Sequence, residues 1–231
     1  MNVERSLIIN ADDFGASAGV NRGILACHTR GVVTSTSLMV TGRAARQAAA
    51  MSREHPALGV GLHWDVWGED EREFDLSDLG AVRDEFRRQL DEFVHIMGRM
   101  PTHVDSHRHA HRDQAVLPMF RELVGPLGVP LRGCGPVAYV GGFYAQWEWQ
   151  VTNLEYVSVP FLQKLLREEV PAGWTEIACH PGFITPDFHS VYRHEREEEI
   201  RALTDPRIRQ TIEELGIRLT NYADYRVASR V

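Results

Sequence analysis

The sequence predicts an α/β protein, a distorted (β/α) barrel with about seven parallel strands, and residues 1–231 are expected to form a single domain. Short apolar runs alternate with amphipathic stretches along the chain, which is the pattern of parallel strands joined by crossover helices. A chain of 231 residues is long enough for one such barrel. An open doubly wound sheet is the alternative. Its nucleotide-binding versions are disfavoured because neither GxGxxG nor GxxxxGK(S/T) follows a predicted strand.

Seven runs rich in β-branched and other apolar residues predict the strands. They cover residues 7–9, 32–40, 58–63, 102–106, 129–132, 176–179 and 217–219. Apolar residues three and four positions apart predict helices between them. The first helix has Ser17 placed to cap it and Gly31 after its end. The other helices cover residues 44–51, 77–97, 115–127, a stretch that begins at 158, and two stretches between about 194 and 215.

Residues 133–157 fit neither pattern. This segment is rich in glycine and aromatic residues, and we expect either a loop over a site or a packed connection between elements.

Composition excludes several classes of partner. The formal net charge of −7 argues against nucleic acid, which requires a basic face. No apolar stretch approaches the roughly 20 residues of a membrane span, and the first residues lack the pattern of a signal peptide. The three cysteines form no CxxC pair, so buried, reduced thiols in a cytoplasmic protein are expected.

Polar residues gather where the predicted strands end. In α/β barrels the loops at the carboxyl ends of the strands build the active site, and histidines placed only for packing would have no reason to choose one end. The residues at these positions are Asp12, Asp13, His63, Asp105, His107, His109, His111, Arg132 and His180.

Two parts of this cluster indicate metal chemistry. Asp12 and Asp13 follow a buried strand, so one carboxylate could bind a cation while the other faces a reacting water; a turn or a helix start is the simpler explanation. Alternation along residues 103–111 gathers imidazoles and a carboxylate on one side, which suits zinc or a similar ion. A solvated histidine-rich loop is the alternative, and His63 or His180 alone would be unremarkable.

This inventory suits hydrolysis. Two histidines and one carboxylate leave coordination positions for water and substrate, a second carboxylate could take a proton from water, and a histidine could protonate a leaving group. The same residues fit an amide substrate well and a phosphoester nearly as well.

Five motifs resemble those of the YdjC-like carbohydrate deacetylases, a family that includes chitooligosaccharide deacetylase and a deacetylase associated with hopanoid biosynthesis. The motifs follow the family's order and span residues 6–222. They are NADDFG at 10–15, GVVTSTSLM at 31–39, GVGLH at 59–63, THVDSH at 102–107 and HPG at 180–182.

The resemblance implies a distorted barrel and one divalent ion held by Asp13, His63 and His107. Zinc is expected from the ligand types, with magnesium as the alternative. By analogy with related polysaccharide deacetylases, Asp12 would act as general base and His180 as general acid, and Arg132 would orient Asp12.

The expected activity is removal of the acetyl group from an N-acetylated amino sugar, such as an N-acetylglucosamine-type oligosaccharide or glycoconjugate. The substrate is then a small carbohydrate, and the family suggests a homodimer. Five residues near the predicted site are expected to contact the sugar: Phe14, Trp64, Asp105, His109 and His111.

The sequence departs from the family at two positions close to the expected sugar groove. Residues 64–70 lead into the next helix over a shorter stretch than is usual, and Arg108 stands where a third histidine often occurs.

Two other functions compete with deacetylation. A metal-dependent phosphoesterase commonly has a basic phosphate clamp, and here the site offers few cations beyond Arg108, Arg112 and Arg132. A non-catalytic sugar- or metal-binding protein would not need Asp12, Asp13 and His180 together.

Overall fold

The computed structural model describes residues 4–68, 73–148, 150–186 and 188–228. Within these ranges, seven strands lie in one sheet. They are β1 (Arg5–Phe14), β2 (Ser35–Leu38), β3 (Gly59–Trp64), β4 (Val104–Ser106), β5 (Val137–Val140), β6 (Gly173–Cys179) and β7 (Ile217–Thr220).

Helices follow most of the strands, as crossover connections require. They are α1 (Ala18–Arg30), α2 (Ala45–Arg53), α3 (Leu79–Met97), α4 (Leu117–Val124), α5 (Val159–Glu168), α6 (His194–Leu203), α7 (Pro206–Glu214) and α8 (Tyr222–Ala228). The part of the chain that the structure describes also contains three short 3₁₀ helices: His107–Arg112, Gly125–Leu127 and Leu154–Val157. None of the helices in the described ranges is both long and apolar enough to cross a membrane.

The sheet is parallel throughout, with the order β4-β3-β2-β1-β6-β5. Strand β1 is the longest and lies at the centre. One edge of β1 pairs with β6. Two strands share the other edge of β1: β7 pairs with residues 5–8 and β2 pairs with residues 10–14. Leu7, Ile9 and Phe14 of this strand are fully buried in the main apolar core.

One arginine shows that the sheet curls into a barrel-like form. The Arg132 guanidinium contacts Asp12 on β1, Asp105 on β4 and Glu176 on β6, each at 2.6–2.9 Å. Side chains from separated strands of a flat sheet could not meet on one group. The prediction of an α/β fold with a distorted barrel is therefore confirmed.

The predicted strand at residues 129–132 is wrong in detail. This segment makes one isolated parallel bridge, between Val104 and Leu131, and the fifth strand is β5, inside the segment where no regular element was predicted. Two physical reasons account for this. Pro130 has no N–H to give to a ladder, and Gly133, at φ 65°, turns the chain back, so that Leu131 also makes an antiparallel bridge to Cys134.

The predicted helix starts and the predicted state of the cysteines mostly agree with the structure. Ser17 caps α1 by accepting a hydrogen bond from Val20 N at 3.1 Å. The start of α3 is capped by Asp78, one residue after the predicted opening at 77, through Ala81 N at 2.9 Å. Cys27 and Cys179 are buried free thiols as predicted, but Cys134 is only half-buried.

Candidate active site

The two adjacent aspartates lie on a β-bulge near the end of β1. The pairing with β2 is regular through Ala11 and resumes at Phe14, with two residues of β1 opposite one of β2. Asp13 takes the left-handed conformation, with φ 66°. A bulge re-aims side chains that would otherwise alternate between the two faces of a sheet. Asp12 and Asp13 consequently line the same cavity.

Asp13, His63 and His107 form a group that can hold a metal ion. Asp13 Oδ1 lies 3.2 Å from His63 Nε2 and 3.3 Å from His107 Nδ1, and all three ligand atoms lie within 4.8 Å of one another. His63 Nε2 is buried and makes no hydrogen bond within the described residues. Buried polar atoms are nearly always paired. An imidazole nitrogen that faces a carboxylate oxygen at 3.2 Å without a hydrogen bond therefore fits a divalent cation, and the donor set suits one.

His63 is held in orientation by Asp105 on the neighbouring strand. His63 Nδ1 donates to Asp105 Oδ1 at 2.7 Å, which leaves Nε2 facing Asp13. Burial opposes a charged imidazole, yet the Asp105, Asp13 and Asp12 carboxylates raise the pKa of His63 well above its usual value. Histidine ligands of metals commonly donate their second nitrogen to a carboxylate in this way.

Asp12 is held by Arg132 in a bidentate ion pair, with both contacts at 2.6 Å. Asn10 Nδ2 also donates to Asp12 Oδ1 at 2.9 Å. Burial would raise the pKa of this carboxyl, but the guanidinium outweighs it and lowers the pKa. Asp12 is therefore ionised, with its carboxylate fixed in one plane.

His180 lies on the other side of Asp12, just after β6. Its Nε2 is 3.7 Å from Asp12 Oδ2, which is too long for a hydrogen bond. Burial lowers the pKa of His180 to about 4, so the imidazole is neutral at pH 7. Its backbone is fixed from α6, because His180 N donates to Glu199 and His180 O accepts from Arg196 Nη1 at 3.3 Å.

These groups open into one cavity of about 720 Å³. His109 also lines it and its Nε2 lies 3.1 Å from the Tyr139 hydroxyl. The cavity combines a polar floor with aromatic side chains, as small-molecule sites usually do. Besides the groups already described, its wall includes Arg108, Arg112, Phe143, Tyr144, Trp147 and Tyr192.

Comparison with known proteins places the chain in a family. The model of the family described as YdjC-like protein matches residues 6–214. The chain belongs to the YdjC-like protein family. A chitooligosaccharide deacetylase of Serratia marcescens is 33% identical to it, over 96% of this chain and all of that protein. The 260 aligned positions exceed the 231 residues of this chain, so the relative has segments without a counterpart here.

Solved structures that resemble this YdjC-like protein include the following two. One, of a protein from Enterococcus faecalis V583 named for cellobiose-phosphate cleavage, has a TM-score of 0.81 and 28% identity, and covers 96% of this chain and 99% of that one. The other is a family 4 carbohydrate esterase from Streptomyces lividans in complex with acetate. It has a TM-score of 0.58 and 15% identity, covers 92% and 90% of the two chains, and shows similarity of fold alone.

Four of the five residues expected to contact sugar are not among the residues that line the cavity of this YdjC-like protein as described. Phe14 and Trp64 are fully buried in the apolar core, where the Trp64 ring lies 5.1 Å from that of Phe120. His111 is buried, with its Nδ1 2.6 Å from Ser106 Oγ and its Nε2 3.1 Å from Arg132 O.

Asp105 is the fourth. Both of its oxygens are occupied, Oδ1 by His63 and Oδ2 by Ser37 Oγ and Arg132 Nη2, each at 2.7 Å. Packing and internal hydrogen bonds use the side chains of Phe14, Trp64, Asp105 and His111, and none of the four is among the residues that line the cavity as described. The sugar contact expected of them stays a prediction. Only His109 of the five lines the cavity as described.

Three buried charged residues that support the site were not predicted from the sequence. Arg196 Nη2 donates to Asp13 Oδ2 at 2.7 Å, and Glu176 pairs with Arg132. Glu199 accepts from the Tyr192 hydroxyl at 2.6 Å, and burial raises its pKa to about 8.

A signal for two of these residues was present in α6. Arg196 and Glu199 occupy the same helical face as the buried Ile200 and Leu203, because residues three and four positions apart are neighbours on a helix. Charged residues on an apolar face indicate buried polar contacts.

Proposed function

We propose that this YdjC-like protein is a divalent-metal-dependent hydrolase that removes the acetyl group from an N-acetylated amino sugar and releases acetate. One observation carries the proposal: Asp13, His63 and His107 converge at the floor of a single cavity, with Asp12 and His180 beside them. The full-length relative named chitooligosaccharide deacetylase supports the substrate class.

Three residues would hold the ion: Asp13 through Oδ1, His63 through Nε2 and His107. Bound there, the ion would act as a Lewis acid that polarises the acetyl carbonyl and makes a bound water more acidic. Arg196 holds the other oxygen of Asp13, which leaves Oδ1 for the ion. Zinc is proposed first because two of the three ligands are imidazoles, and magnesium is the alternative.

Asp12 is proposed as the general base. Arg132 keeps it ionised and in a fixed plane, so it is ready to accept a proton from the attacking water. A base with a lowered pKa is weak, but it is sufficient when the water itself is acidified.

His180 is proposed to deliver a proton to the leaving amine. Its neutral resting state follows from burial, so it must first gain a proton. Asp12, whose Oδ2 is 3.7 Å from His180 Nε2, would pass on the proton that it took from water, and negative charge that develops nearby favours protonation of His180. His109, paired with Tyr139, is proposed to contact the sugar.

A metal-dependent phosphoesterase is the second candidate. Arg108 and Arg112 are exposed cations that line the cavity, and one structural relative is named for cellobiose-phosphate cleavage. The deacetylase is preferred because Asp12 and His180 supply the base and the acid that amide hydrolysis requires.

A non-catalytic sugar- or metal-binding protein is the third candidate. One experiment separates the three. Purified protein is stripped with a chelator, reloaded with zinc or magnesium, and assayed for acetate and for phosphate release from acetylated and phosphorylated amino sugars. Acetate release restored by metal supports the deacetylase, phosphate release supports the second candidate, and binding without turnover supports the third.

A homodimer and a cytoplasmic location are proposed as well. The three cysteines are free thiols, as is usual in a reducing compartment. Analytical ultracentrifugation of the purified protein tests the dimer.

A further inference from the structure

One wall of the cavity is a row of aromatic rings that comes from two segments of the chain. Tyr144 stacks on Tyr192, with ring centroids 4.8 Å apart and planes 7° apart. Trp147 meets Tyr144 edge-on at 6.2 Å. The Tyr144 ring in turn lies 5.5 Å from that of His180. The row therefore begins next to the proposed acid and ends at Trp147, at the outer side of the cavity.

Trp147 is exposed to an unusual degree for its residue type. It is 61% exposed, whereas Trp64 is fully buried. Val191, which also lines the cavity, is 45% exposed. Packing of the chain on itself does not explain a large indole that faces the solvent at the edge of a ligand cavity.

The segment that carries Trp147 is held firmly in place. Ala145 N donates to the Tyr192 hydroxyl at 3.2 Å. Gln146 Nε2 donates to Val191 O at 3.1 Å and to Glu195 Oε1 at 2.6 Å. Glu195 is buried although it lies in the first turn of α6. These bonds on the residues just before Trp147 make the aromatic row a preformed surface.

We propose that Trp147 is a specificity-determining residue that binds the second pyranose ring of an oligosaccharide whose acetylated ring occupies the metal end of the cavity. This inference rests on the proposed function. A pyranose presents an apolar C–H face and a polar edge, which matches an exposed indole in a wall that also contains Ser190 and Arg196. The protein then prefers a disaccharide or longer chain to a single sugar.

The test compares kcat/KM for acetate release from N-acetylglucosamine, N,N′-diacetylchitobiose and the hexyl glycoside of N-acetylglucosamine. The metal-loaded wild type and the Trp147→Ala and Trp147→Phe variants are measured. We expect the ratio of the disaccharide value to the monosaccharide value to fall about tenfold in Trp147→Ala, the size of one aromatic contact, and to fall less in Trp147→Phe. Val151→Ala is the matched control, since Val151 is 54% exposed and is not among the residues that line this cavity as described. It should keep the wild-type ratio.

Two results overturn the inference. An unchanged ratio in Trp147→Ala does so, and so does a loss confined to the hexyl glycoside, which would assign this surface to an apolar aglycone.

Failure of the proposed function looks different, because the wild type would then release no acetate from any of the three. In that case the binding of N,N′-diacetylchitobiose to the wild type and to Trp147→Ala is measured by titration calorimetry. Binding that weakens about tenfold in the variant supports the inference, and equal binding or none at all overturns it.

Discussion

Replacing Asp105 with asparagine should weaken metal binding, although Asp105 is not one of the three proposed ligands. The carboxylate accepts from Ser37 Oγ and Arg132 Nη2 through Oδ2 and from His63 Nδ1 through Oδ1. In the variant, the amide oxygen of the new side chain would take the place of Oδ2 and face Ser37 Oγ and Arg132 Nη2. Its NH₂ group would then face His63 Nδ1, which must become an acceptor. The proton of a neutral His63 would move to Nε2, the atom proposed to bind the ion.

The magnitudes follow from these contacts. Loss of a carboxylate that orients a metal-binding histidine typically costs about 10- to 100-fold in metal affinity, and the tautomer change places Asp105→Asn at the upper end of that range. The free energy of unfolding should fall by only about 2 kcal/mol, the value of one charge-assisted hydrogen bond. Arg132 still has Asp12 and Glu176 as partners, so it is not left as an unpaired buried charge.

The assay is competition for zinc between the protein and a chelating fluorophore, with urea unfolding measured in parallel. Ser37→Ala is the matched control, because it removes a donor to Asp105 Oδ2 without changing the tautomer of His63, and its affinity should stay within a few-fold of wild type. If Asp105→Asn folds normally and binds zinc as tightly as the wild type, the claim that Asp105 sets the tautomer of His63 is refuted.

Three further predictions concern other parts of the protein. Asp12→Asn should lower kcat for acetate release at least 100-fold, the usual contribution of a general base, while zinc affinity stays within a few-fold; comparable turnover would remove Asp12 as the base. Burial raises the pKa of Glu199 to about 8 from 4.5, so between these pH values the folded state holds a proton that the unfolded chain releases. The free energy of unfolding should therefore fall on the order of a few kcal/mol as pH rises from about 5 to above 8. In urea unfolding, Glu199→Gln should make this pH dependence flatter. Trp64→Ala should cost about 3–5 kcal/mol of unfolding free energy without altering the preference for disaccharide over monosaccharide; an altered preference would restore Trp64 as a sugar contact.

Local patterns in the sequence were sufficient for the elements and for the residues at the strand ends. Alternating apolar runs predicted six of the seven strands in place, and the motif residues Asp13, His63 and His107 do lie together. These predictions succeed because side-chain periodicity and capping are properties of neighbouring residues. The exception is the fifth strand. The residues at 129–132 have strand character, but with Pro130 and Gly133 beside them they make isolated bridges and no strand.

The tertiary structure alone decided which side chains face the cavity. Phe14 directly follows Asp13 in the sequence and Trp64 directly follows His63, yet both side chains are buried in the apolar core. The bulge at Asp12 and Asp13 turns both carboxylates to one side, which strict alternation would not allow. Arg196, 183 residues from Asp13, reaches it at 2.7 Å from α6. Periodicity specifies that a strand has two faces, but the curl of the sheet and the packing of helices on it determine which face encloses the site.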